Sequence, residues 1–114
     1  MNIKEWSKTE IMETAHKVDA RNLYQAPELM VTIITLLPGQ QLKRHITPVN
    51  VAFYVLEGTG IVEVGEEKAE VGAGALIESP KDIVHCWYNE SAVPLSFMVI
   101  KAPKPTRPTR FIGD

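Results

Sequence analysis

The sequence is short of several things, and each shortage excludes something. It holds a single cysteine, Cys86, among 114 residues. No disulfide can form within the chain, so a reducing setting, the cytoplasm, is expected. It has no excess of positive charge: 12 Lys and Arg stand against 14 Asp and Glu, a net charge of -2. That balance speaks against nucleic acid or an anionic membrane as the main partner, because both favour basic surfaces. It has no long apolar run. The longest, "LMVTIITLL" from Leu29 to Leu37, is far below the about 20 residues that a spanning helix needs. The opening "MNIKEWSKTE" lacks an apolar stretch, so no secretory signal is expected. No helical period runs long enough for a strand-helix-strand unit, and no internal repeat marks a solenoid.

What is present points to an all-β domain. A length of 114 residues fits one domain with a real core. From Leu29 onward, short stretches rich in Val, Ile, Phe and Tyr alternate with Gly and Pro punctuation. "ELMVTIITLLPGQ", "QLKRHIT", "VAFYVLEGTG", "AGALIESP", "DIVHCWYN" and "PLSFMVIKAP" each read as a strand with its stop, and "GIVEVGEEKAEV" reads as a hairpin around Gly65-Glu66-Glu67. Such spacing predicts a sandwich or small barrel.

The ends read differently, which divides the chain into residues 1–28, 29–103 and 104–114. "SKTE" at Ser7–Glu10 matches a capping box, so the first segment begins with a short helix or, alternatively, an irregular arm or edge strand. "KVDARNLY" is a candidate edge strand, in this chain or a partner. The tail carries Pro103, Pro105 and Pro108 and should be extended. It is either a free end or an arm on a neighbouring subunit, anchored by Phe111 and Ile112.

Two segments carry a motif. Gly39 is followed after five residues by His45, then by Thr47, Val51 and Gly58. Gly74 is followed by Pro80, Asp82, His85 and Asn89. Strand side chains alternate, so His45, Thr47 and Val51 can share a face, given a bend at Pro48. Asp82 can hold a turn because Asp tolerates a left-handed backbone.

In spacing this pair of segments resembles the cupin family, from Leu37 to Asn89. The resemblance implies a double-stranded β-helix, a jelly-roll-like barrel, whose interior receives His45, Thr47 and Val51 from one motif and His85 from the other. The family's ligand set is three His and one Glu. Here Thr47 stands in place of the second His and Val51 in place of the Glu. What remains for a metal is His45 and His85, a pair suited to Zn, Fe, Ni or Mn but needing other ligands to complete the sphere.

The barrel interior also takes Phe53, Val55, Ile77 and Trp87, most of them core, with Trp87 and Phe53 placed at the ligand. Tyr54, Cys86 and Tyr88 alternate outward. His16 has no partner in the sequence and reads as a surface or interface residue. The expected function is binding of a small polar or anionic molecule by His45, Thr47, Val51, Phe53, His85 and Trp87, with the metal site weakened or absent. The alternatives are a metal-dependent dioxygenase, isomerase or lyase using His45 and His85, a metal-free histidine-based epimerase or isomerase, and a structural unit with a self-filled interior. The resemblance further implies a homodimer formed through sheet edges or exchanged terminal arms.

Overall fold

A computed structural model describes residues 1–113. Ten strands form: β1 (Asp19–Ala26), β2 (Leu29–Leu36), β3 (Gln41–Ile46), β4 (Asn50–Glu57), β5 (Thr59–Val64), β6 (Glu67–Gly72), β7 (Leu76–Ser79), β8 (Val84–Tyr88), β9 (Leu95–Ala102) and β10 (Arg110–Phe111). They make two five-stranded sheets, ordered β1-β2-β9-β4-β7 and β10-β3-β8-β5-β6. Every pairing is antiparallel. This is the jelly-roll barrel of an all-β protein. Among the described residues there is no α-helix, and no helix long and apolar enough to cross a membrane.

The turn chemistry explains the strand limits. β5 and β6 are joined by Gly65-Glu66, with Gly65 at φ 61°, the backbone sign that tight hairpins demand. Gly58, between β4 and β5, has φ 82°, and a β-carbon there would collide with the Pro94 carbonyl oxygen. Asp82 takes φ 64°, the left-handed turn at the position where the family pattern carries glycine.

The first segment does not start a helix at Ser7. A single 3-10 turn covers Trp6–Lys8, and the backbone carbonyls of Trp6 and Ser7 accept hydrogen bonds from the Arg21 guanidinium. After the Thr14–Lys17 turn, β1 pairs along β2 of its own chain. The tail also lies on its own barrel. β10 adds to β3, pairing Phe111 with His45, and the Ile112 amide donates to the Arg44 carbonyl.

The interior is filled unevenly. Inward residues of β9 run Leu95, Phe97, Val99, Lys101. At the Leu95 and Phe97 end, Trp87 stacks on Phe97 with centroids 4.2 Å apart, and Phe53 meets both rings edge-on. Leu36, Val55 and Leu95 complete a fully buried cluster there. At the Val99 and Lys101 end the side chains stop short of one another and leave a cavity.

Candidate functional site

The cavity measures about 390 Å³, within the range of small-molecule sites. Its apolar wall comes from Met30, Ile34, Leu42, Phe53, Val99 and Phe111. Its polar groups are His16, His45, Thr47, His85 and Lys101, with Thr14, Thr32 and Thr109 beside them. Glu13 is the one acidic lining residue and sits exposed at the mouth. An interior filled by its own side chains, one of the readings open from sequence, is not what the barrel has.

A β-bulge aims His45 into this space. β3 pairs Leu42 with Trp87 and His45 with His85, so three steps on β3 match two on β8. Strict alternation from Leu42 would turn His45 outward. The extra residue restores it to the inner face, and exposed Lys43 and Arg44 occupy the bulge.

The hydrogen bonds fix the proton arrangement of both rings. His45 Nδ1–H donates to the Lys43 carbonyl at 2.6 Å, so in the neutral ring Nε2 is an acceptor. His85 Nε2 lies 2.9 Å from that atom and must be the donor. His85 Nδ1 then accepts from the Ser79 hydroxyl at 2.7 Å. Thr47 Oγ1 lies 3.3 Å from His85 Nε2, a longer contact to the same hydrogen.

Electrostatics keep these rings neutral. Burial, and next the repulsion a second charge would meet from a protonated His45 and from Lys101, push His85 down to about 3. Burial also lowers His45, against the raising effect of its bond to the Lys43 carbonyl. His16 is lowered to about 4, mainly by burial and then by His45. Burial lowers the Lys101 ammonium.

Of the six residues expected at the ligand, His45, Thr47, Phe53 and His85 line the cavity. Val51 and Trp87 pack in the core beside it. Both do face inward, but Trp87 stands at the level where Phe97 and Phe53 already fill the barrel. Its ring stacks there instead of meeting the cavity. His16 is not a surface residue. Its ring packs edge-on against His45 at 4.8 Å and against Phe111 at 5.0 Å, and its Nδ1 is buried without a partner. The turn that carries it folds over the mouth, where Phe111 arrives from β10. No periodic pattern marks this placement. Lys101 also lies outside the expected set, yet a signal exists: the alternation Leu95, Phe97, Val99 puts Lys101 on the inner face.

The donor set does not fit a closed metal site. It offers three imidazoles, His16, His45 and His85, and a neutral hydroxyl, with the methyls of Val51 where the family pattern has a carboxylate. A cation, Lys101, faces the same space. Among the described residues no group of three or more His, Cys, Asp or Glu is arranged to hold an ion.

Comparison with known proteins agrees with the topology. The protein TT1209 from Thermus thermophilus is 32% identical, with 92% of this chain and 100% of that one aligned and a TM-score of 0.79. The polyketide cyclase RemF from Streptomyces resistomycificus superimposes with a TM-score of 0.86 over 100% of this chain and 87% of its own, at 18% identity. KdgF from Halomonas sp. gives 0.79 over 93% and 96%, at 16% identity. No curated protein shows significant similarity. The sequence model of the cupin domain matches residues 32–101, and with this match and the shared barrel the chain belongs to the cupin family.

Proposed function

We propose that this cupin binds a small molecule in the barrel cavity and needs no metal to do so. The observation that carries the reading is the lining of the cavity: a cation, Lys101, faces it, and Val51 supplies no carboxylate to offset the charge of a metal. His45, Thr47 and His85 converge on an apolar-walled space of about 390 Å³. Such a mixture of apolar wall and a few converging polar groups is how ligand sites are built.

The test is metal content and ligand binding together. Untagged protein, purified without chelator, should carry far less than one equivalent of Zn, Fe, Ni or Mn, and should match the His45→Ala/His85→Ala variant in this. Fluorescent-probe displacement by small molecules should be unchanged by chelator. One equivalent of metal in the wild type, absent from the variant, would defeat the reading.

A second reading is enzymatic. Two neutral imidazoles in contact can take up one proton between them, the property of a general base. A histidine-based isomerase, or a cyclase of the kind for which RemF is named, would use it. This reading requires turnover to vanish in His45→Gln while the thermal transition stays.

A homodimer and a cytoplasmic setting go with the proposal. The outer face of the first sheet carries Met98, Tyr54 and Leu76 in one register row across β9, β4 and β7. Tyr54 and Leu76 are exposed, and Cys86 is a free, buried thiol. A scattering mass equal to one chain would remove the dimer.

A further inference from the structure

Val51 and Lys101 are cross-strand partners on β4 and β9. Position 51 is where the cupin pattern carries its metal-binding carboxylate. Here an alkyl group stands at 51 and a cation stands next to it, on the same inner face. The cavity has lost a negative charge on one strand and holds a positive one on the adjacent strand.

Among the described residues Lys101 has no counterion in an ion pair. The ion pairs among the described residues are Lys8–Glu5 and Arg21–Asp19, and neither reaches the cavity. Among the described residues the one lining carboxylate is Glu13, exposed at the mouth. A charge drawn out of water is normally paired, because desolvation without a partner is costly. The groups around Lys101 are His16, His45 and His85, and its charge lowers the affinity of all three for protons. No ion pair among the described residues reaches the ammonium, and of its polar neighbours His16 has a ring nitrogen without a partner.

We propose that the ligand of this cavity is a small organic carboxylate whose charge is met by Lys101, so that a lysine ammonium supplies the positive centre that a bound metal would otherwise provide. His85 and Thr47 are the neighbouring polar groups, and Met30, Ile34 and Val99 form the apolar wall for the carbon skeleton. A space of about 390 Å³ is large enough to admit a small aromatic acid such as benzoate. This inference rests on the cavity being a ligand site, and the experiment separates the two claims.

The probes are benzoate and its uncharged amide, benzamide, titrated calorimetrically into wild type and Lys101→Met. Wild type should bind benzoate about tenfold tighter than benzamide, since a charge-assisted hydrogen bond exceeds a neutral one by that order. In Lys101→Met the preference should disappear while benzamide binding persists. Equal affinity for both probes in wild type would overturn the carboxylate assignment and leave the ligand cavity standing. A preference that survives in Lys101→Met would overturn the role of Lys101. Binding of neither probe would overturn both claims. The wild-type comparison decides the first point even if the variant does not fold.

Discussion

The Nε2 atoms of His45 and His85 lie 2.9 Å apart, and a single hydrogen lies between them when both rings are neutral. The backbone carbonyl of Lys43 decides which ring supplies it, by taking the Nδ1–H of His45. His85 is left as the Nε2–H tautomer, with Nδ1 held by Ser79.

Ser79→Ala tests this order. It removes the only donor to a buried imidazole nitrogen and should cost about 1–3 kcal/mol of stability. Imidazole nitrogen shifts in NMR spectra should report protonated Nδ1 for His45 and protonated Nε2 for His85 in the wild type. The opposite pattern in the wild type would contradict the assignment.

Acid should unfold the protein through these histidines. His16 and His85 have folded values near 4 and 3, below the ordinary value of about 6.5. The unfolded chain therefore binds more protons between these limits. Stability is fully present above about pH 6.5 and falls as the pH drops, by about 1.4 kcal/mol per pH unit for each ring, the His16 loss ending near pH 4 and the His85 loss near pH 3. Urea midpoints across this window should fall steeply in the wild type and less steeply in His16→Gln or His85→Gln. Equal slopes in all three proteins would remove the histidines as the cause.

Trp87 and Phe53 should separate fold from site. Trp87 is fully buried against Phe97, away from the cavity. Trp87→Ala should cost about 3–5 kcal/mol, whereas Trp87→Phe should leave ligand affinity unchanged. Phe53→Leu, at the cavity wall, should alter affinity for an aromatic probe. Denaturation and titration curves measured on the same preparations check both.

Cys86 should resist modification. Burial pushes its thiol up to about 11, and its Sγ–H is held between the Glu63 carboxylate and the Tyr88 hydroxyl oxygen. Little thiolate exists at neutral pH, and the thiolate is the reacting form. A thiol reagent should label the native protein slowly and the urea-unfolded protein at once. Rapid native labelling would count against this burial.

The barrel was legible because its signals are local. Gly and Pro mark the turns, and period-two alternation marks the strands. The intervals Gly39–His45–Gly58 and Gly74–Pro80–His85 resemble the two cupin motifs, and that resemblance is what implies one interior shared by His45 and His85. His16 cannot be placed this way, since it lies in an aperiodic turn whose path over the mouth depends on tertiary packing with Phe111. Trp87 sits at a different depth along the barrel axis than expected, because alternation gives the face of a residue and not the level at which neighbouring rings close the core. Lys101 lies on the same alternation as Phe97 and Val99, but a charge near the end of an apolar strand reads as its solvated tip.

The bulge between Leu42 and His45 gives β3 two phases, one before it and one after. Deleting a single residue from Lys43–Arg44 would merge them: Leu42 and the histidine, then two positions apart, would face inward on one regular strand. What the bulge adds is an odd interval. It lets two inward residues stand three positions apart and turns Lys43 and Arg44 out to solvent together. The inward aim of the imidazole therefore tolerates a strand shortened by one residue, whereas a regular strand of the present length would carry the ring outward.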